Sequence, residues 1–154
     1  MQALRLVVLL ALCVWHAAAL AHEVRPGYLE IREAAADTYD IVWKVPAKGE
    51  YRLSLYVRLP TSCKGAPSSG NFVGAAFVER WRVTCPGGLV GQSIGIDGLV
   101  ATRTDVLVRL QRLDGTAQTE RLSPERISFE VAAVPSRLQV AETYFVLGVE
   151  HILS

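Results

Sequence analysis

The chain has 154 residues, 51% of them hydrophobic and 20% charged, with sixteen Lys and Arg against fifteen Asp and Glu. That is room for one domain of ordinary size and excludes a multidomain machine. A balance so close to neutral predicts neither a nucleic-acid footprint nor a polybasic patch for an anionic membrane, since both need a clustered excess of Lys and Arg.

The charge is unevenly spread, because the first 21 residues hold a single charge, Arg5, and every acid lies at Glu23 or later. Arg5 is followed by an unbroken apolar run, Leu6 to Trp15, and then by Ala17-Ala18-Ala19-Leu20-Ala21, which places small residues at the −3 and −1 positions before His22. This layout predicts a secretory signal peptide over residues 1–21. The apolar run is about half the ~20 residues that a membrane-spanning helix needs. Cleavage after Ala21 leaves a mature chain of 133 residues from His22, with fifteen basic and fifteen acidic side chains.

Cleavage also removes Cys13 and leaves the pair Cys63 and Cys85 in a compartment where disulfides persist. Their spacing of 22 matches neither C-x-x-C nor a zinc finger, so a structural bridge is expected.

From Tyr28 to Val131 the apolar residues recur with period two. In Thr38–Val45, Ile41, Trp43 and Val45 alternate with Asp40 and Lys44, and in Arg52–Leu59, Leu53, Leu55, Val57 and Leu59 alternate with Arg52, Ser54, Tyr56 and Arg58. Half-buried strands explain both runs. Further strands are expected at Tyr28–Glu33, Ala76–Cys85, Gln92–Ile96, Asp105–Leu113, Ala117–Leu122 and Ile127–Val131. Asp114-Gly115 predicts a two-residue hairpin turn, and Asp97-Gly98 is a second candidate. Thr61–Gly74 reads as a long loop that Cys63 would pin, a place where a binding function or a tolerated insertion could sit. The fold class is therefore all-β: an antiparallel β-sandwich, immunoglobulin-like in outline, over residues 22–135. Beyond Pro135, Ser136 is a candidate N-cap, and Leu138, Val140, Ala141, Tyr144, Phe145, Val146, Leu147, Val149, Ile152 and Leu153 predict a short, apolar C-terminal helix over 136–154.

No catalytic constellation stands out. Ser nucleophiles lack G-x-S-x-G, and Gly87-Gly88-Leu89-Val90-Gly91 lacks the Lys of a phosphate loop, so it reads as a turn. The carboxylates Glu23, Glu30, Glu33, Asp37 and Asp40 read as solvated charge, and Trp43, Trp81 and Tyr56 as core or rim packing. The mature chain has two histidines. His22, as a terminal residue, offers its amino group and ring as a copper or nickel chelate. Glu150-His151 pairs a carboxylate and an imidazole on an apolar helix, where a metal or an exposed helix end would account for them.

Four stretches taken together carry a resemblance: His22-Glu23-Val24-Arg25-Pro26-Gly27-Tyr28-Leu29-Glu30, Tyr39-Asp40-Ile41-Val42-Trp43-Lys44-Val45-Pro46, Glu79-Arg80-Trp81-Arg82-Val83 ahead of Cys85-Pro86-Gly87-Gly88-Leu89, and Gly148-Val149-Glu150-His151-Ile152-Leu153. The chain resembles HupE/UreJ-type membrane proteins, in the subgroup with an extracytoplasmic domain ahead of the membrane part. The resemblance implies that residues 148–153 open a transmembrane region, that the transported cargo is nickel or another transition metal, and that His151 faces it, with Gly148 and Glu150 as the other counterparts. It implies export to the periplasmic or extracytoplasmic face of a bacterial membrane, with membrane attachment through the C-terminal segment. Ending at Ser154 ahead of the permease body, the chain reads as a fragment of a longer product, the product of a truncated or frameshifted gene, or a solitary soluble domain, with a non-catalytic role in recognition or assembly. The alternatives are a secreted binding module for a protein or carbohydrate, using the Thr61–Gly74 loop and aromatic strand faces, and a copper protein built on His22.

Overall fold

Period-two alternation decides the architecture. The computed structural model describes residues 25–67 and 69–134, which fall inside the expected domain. The leader, the C-terminal helix and the residues His22, Glu150 and His151 lie outside the described residues. The strands are β1 (Gly27–Ala35), β2 (Thr38–Lys48), β3 (Tyr51–Arg52), β4 (Tyr56–Arg58), β5 (Gly70–Val73), β6 (Ala76–Thr84), β7 (Ser93–Asp97), β8 (Val106–Gln111), β9 (Ala117–Leu122) and β10 (Ser128–Glu130). They form a seven-stranded sheet in the order β5-β6-β2-β1-β8-β9, with β3 beside β2, and a three-stranded sheet in the order β10-β7-β4. The all-β sandwich is the observed fold. Its pairs are antiparallel except β1 with β8, which run parallel from Gly27↔Val106 to Arg32↔Gln111.

The core is the face that the two sheets share. Leu29, Ile31, Ile41, Trp43, Val45, Val83, Val106, Val108 and Leu110 from the large sheet are buried against Ile94, Ile96, Phe129, Val131, Leu89 and Leu99. Burying side chains of this size stabilises by about 1.5–3 kcal/mol each before conformational entropy is counted. On the β9 side a glutamine closes the seam. The Gln118 side-chain amide donates to the Glu130 carbonyl at 3.0 Å and accepts from Ala132 N–H at 2.9 Å.

The Arg52–Leu59 run departs from the expectation of a single strand. It begins in the large sheet as β3 and ends in the small sheet as β4, and it crosses between them at residues 53–55. Leu55 N–H donates to the Leu53 carbonyl at 2.9 Å, a tight turn that breaks the alternation, so Leu53 is exposed while Leu55 is fully buried. The buried Trp43 indole fixes the crossing by donating to the Leu55 carbonyl at 3.3 Å. Gly98 allows it. A β-carbon there would strike the Ser54 carbonyl oxygen, and its φ of +85° suits glycine.

Two turns also differ. Residues 112–116 form a three-residue hairpin loop with Gly115 at φ +84°, because Arg112 N–H pairs with the Thr116 carbonyl one residue beyond a two-residue turn. Asp97-Gly98 is no hairpin, since a 3-10 turn at Leu99–Ala101 carries the chain from the small sheet to the large one. The Gly87–Gly91 stretch is a turn between β6 and β7, as its composition indicates.

The Thr61–Gly74 segment is only partly a loop. Cys63 and Cys85 form a disulfide, Lys64 and Thr84 exchange two backbone hydrogen bonds of 2.8 and 2.9 Å, and Gly70–Val73 adds strand β5 to the edge of β6. The segment is thus tied to β6 near both of its ends. Closing a loop of about 22 residues stabilises by about 3 kcal/mol in the chain-entropy model. We predict that the purified exported protein titrates no reactive thiol, and that the double variant C63A/C85A loses about 3 kcal/mol in chemical denaturation.

Acid should also weaken the fold. Hydrogen bonds from Arg82 to Asp40, from Thr116 to Asp114, from Gln118 and then Arg126 to Glu120, and from Ser123 to Glu125 hold these four carboxyls below their ordinary range. A lowered folded-state value contributes stability above the unfolded value that is lost as pH falls through the folded one. The melting temperature is predicted to be flat near neutrality and to fall as the pH drops through and below the ordinary carboxylate range. A rise on acidification would contradict this.

Candidate functional site

Among the described residues the three-stranded sheet leaves part of the large sheet's inner face uncovered beside β5 and β6. Phe77 lies over Gly70, where a β-carbon would collide with its ring, and meets Phe72 edge-on at a centroid distance of 4.9 Å. The Arg52 guanidinium stacks on Phe77 at 4.5 Å and on Tyr56 at 5.4 Å, which places it between two rings. Stacking of this kind suits arginine, whose flat and weakly hydrated cation gains from the ring face. Arg52 Nη1 is 3.2 Å from Glu79 Oε1. It is buried, however, and not aligned on that oxygen, so it makes no hydrogen bond among the described residues. The pair is therefore an ion contact with an unmet donor.

Arg52 also borders a groove at the end of the sandwich where β1 begins. The β2–β3 hairpin forms one wall with Pro46, Ala47, Lys48, Tyr51, Arg52 and Leu53. Arg25 and the segment Ala101-Thr102-Arg103-Thr104 form the other. The volume is about 530 Å3, within the range of ligand sites. Among the described residues four of the eleven that line it are cations and none is an acid; Arg52 is in contact with Glu79 and Arg25 has an interaction of its own, whereas Lys48 and Arg103 have no ion partner among the described residues. Short bonds hold the second wall in place, from Thr104 Oγ1 to the Arg25 carbonyl at 3.0 Å and from Thr102 Oγ1 to the Leu99 carbonyl at 2.9 Å. Tyr51 stands 84% exposed at the rim.

Such an arrangement can hold an anion flanked by apolar surface. The cations supply charge-assisted donors, with the Arg52 fork set by its rings, while Tyr51 and Leu53 offer apolar cover. A second hollow of about 590 Å3 adjoins at Thr102 and Arg103, but it mixes Arg103, Arg121 and Arg126 with Asp105 and Glu125. Within it Arg121 is paired with Asp105 at 2.6 Å, and Arg126 turns to Glu120 at 2.6 Å.

Of the residues expected to carry chemistry, none that is described lines the groove. His22, Glu150 and His151 are outside the described residues, and among the described residues no three His, Cys, Asp or Glu side chains gather as a metal would need. Trp43 is core and Trp81 packs partly against it, whereas Tyr56 forms the rim beside Arg52. Glu30 and Asp40 are paired with Arg32 and Arg82, and Glu33 accepts the Leu113 N–H at 3.0 Å. The groove cations were missed because they are spread over 79 positions from Arg25 to Arg103 and only the fold assembles them. Lys48-Gly49 and Arg52 across a tight hairpin were the one local signal. Among protein-family models none matches the chain, and no curated protein matches it.

Arg52 and Glu79 are 26% and 13% exposed, so removing the acid alone leaves a largely buried cation unpaired. We predict that Glu79→Ala and Arg52→Met each cost about 1–3 kcal/mol in chemical denaturation, because each strands the other charge, and that the double variant E79A/R52M costs clearly less than the sum of the two. Additive losses would contradict this account.

Proposed function

We propose that this chain is the extracytoplasmic domain of a HupE/UreJ-type membrane protein and serves it as a non-catalytic recognition module, taking an acidic segment of a partner protein in the groove of Arg25, Lys48, Arg52 and Arg103. The observation that carries the recognition role is the groove itself, whose described lining holds no acid and presents Lys48 and Arg103 without ion partners among the described residues. The Cys63–Cys85 bridge supports an oxidising location, in keeping with export. Attachment to the membrane belongs to the segment after Pro135, and the transported metal to Glu150, His151 and the regions that follow in the full-length form. The groove leaves the metal to that part of the protein and reads a partner by charge.

The secreted-module alternative keeps only part of its loop, since Lys64 and Gly70–Val73 pair with β6, while exposed aromatic rings stand at Tyr51, Tyr56 and Phe72 on the same margin. Both readings therefore meet at one place. The test is calorimetric titration of the purified exported protein with the acidic tripeptide Asp-Phe-Asp, blocked at both ends, and with its Asn-Phe-Asn counterpart. The acidic peptide is predicted to bind at least about tenfold more tightly, and K48A/R103A to remove about tenfold of that affinity. Equal binding of the two peptides, or an unaltered affinity in the variant, would overturn the reading.

A further inference from the structure

The outward face of the large sheet gathers charge that the sequence scatters. Because core residues occupy alternate positions, the intervening ones point away from the small sheet. Across β6, β2, β1 and β8 one row reads Arg80, Val42, Glu30 and Arg109, and the next reads Arg82, Asp40, Arg32 and Gln111. A third reads Val78, Lys44, Tyr28 and Leu107, continuing to Arg121 on β9. Six exposed cations thus share the face with three acids, Glu30, Asp40 and Asp105, the last standing just ahead of β8. Between Arg25 and Val134 the sequence has fourteen basic and twelve acidic residues, so the rest of the domain carries an excess of one acid. The near-neutral composition had predicted no polybasic patch. Alternation creates one by segregating the signs in space.

Ion pairs absorb part of this charge. Arg82 is held by Asp40 at 2.7 Å, Arg32 by Glu30 at 3.3 Å and Arg121 by Asp105 at 2.6 Å. Arg80 and Arg109 have no ion partner among the described residues, and Lys44 only lies over the Tyr28 ring at 5.5 Å. Arg80 and Arg109 stand three strand spacings apart, or about 14 Å. Between Lys44 and Arg121 lie Tyr28 and Leu107, the latter 40% exposed.

We propose that this face docks on an anionic phospholipid surface. The occupant follows from the shape and the residues. The face is broad and open, with cations dispersed in two dimensions and Tyr28 and Leu107 among them, which matches a plane of phosphate headgroups with shallow apolar contact. A linear polyanion would call for cations lined along a cleft. The choice of a membrane also rests on the reading of the chain as a domain beside one, since the apolar stretch from Leu138 to Leu153 follows directly. Docking would hold the sandwich flat on the bilayer and keep the groove, at the end of the sheet, open to the side.

The test is co-sedimentation of the purified exported protein with vesicles of phosphatidylcholine alone and of phosphatidylcholine with about one third phosphatidylglycerol, at low and high salt. The apolar stretch would bind both vesicles alike, so only the difference between them reports this face. Each unpaired cation near the surface is worth about fivefold in partitioning, which predicts a preference of about a hundredfold for three. High salt should erase it, as should K44E/R80E/R109E, whose substituted side chains are exposed and whose folding is checked by circular dichroism. No preference in the parent protein, an undiminished preference in the variant, or heparin competing better than the vesicles would each overturn the proposal, the last in favour of an acidic polysaccharide. None of the three residues lines the groove, so the peptide titration fails or succeeds separately.

Discussion

A three-stranded sheet cannot cover a seven-stranded one, and most of this molecule follows from that mismatch. Beneath β10-β7-β4 the large sheet is dry and close-packed around Trp43. At the β5–β6 side no second layer is formed by the described residues, and the side chains there tolerate half-burial. Arg52 lies between Phe77 and Tyr56, and Gly70 makes room for Phe77. One segment has to leave the large sheet to build the small one, and the Trp43 hydrogen bond to Leu55 marks where it leaves. The groove is what remains between that departing hairpin and the return path at Ala101–Thr104.

The two ends of the sandwich are treated differently. Where β6 ends, Cys63–Cys85, the Lys64–Thr84 pair and the Cys85 N–H bond to the Asp37 carbonyl at 2.7 Å tie loops together. Where β1 begins, the walls are held by a few hydroxyl and backbone bonds, and Lys48 and Arg103 stand free of ion partners among the described residues. A stiff end and an adaptable, basic end suit a domain that is held in place and recognises something charged.

Strand placement was legible because a half-buried strand must alternate, and Thr38–Val45 and the buried Val106, Val108 and Leu110 within Asp105–Leu113 show it plainly. The disulfide was legible from parity and compartment. Two features were not, for one reason: local pattern records which side a residue faces but not which sheet it joins. Arg52–Leu59 alternates almost without fault yet changes sheets, and Gly70–Val73 pairs with β6 despite a composition of loop residues. The basic groove and the basic face depend on cross-strand register, which brings Arg25 to Arg103 and Arg80 to the row of Arg109. A neutral total conceals both.

The central claim is that the uncovered margin and its groove are the recognition surface. Backbone amide shift mapping of the nitrogen-15-labelled protein during titration with an acidic peptide tests it most directly. The account predicts shifts confined to residues 46–53 and 101–104 with Arg25, and none at the disulfide end around residues 85–92. Shifts centred on the Thr61–Val73 segment or on the disulfide end, or no shifts at saturating peptide, would contradict it.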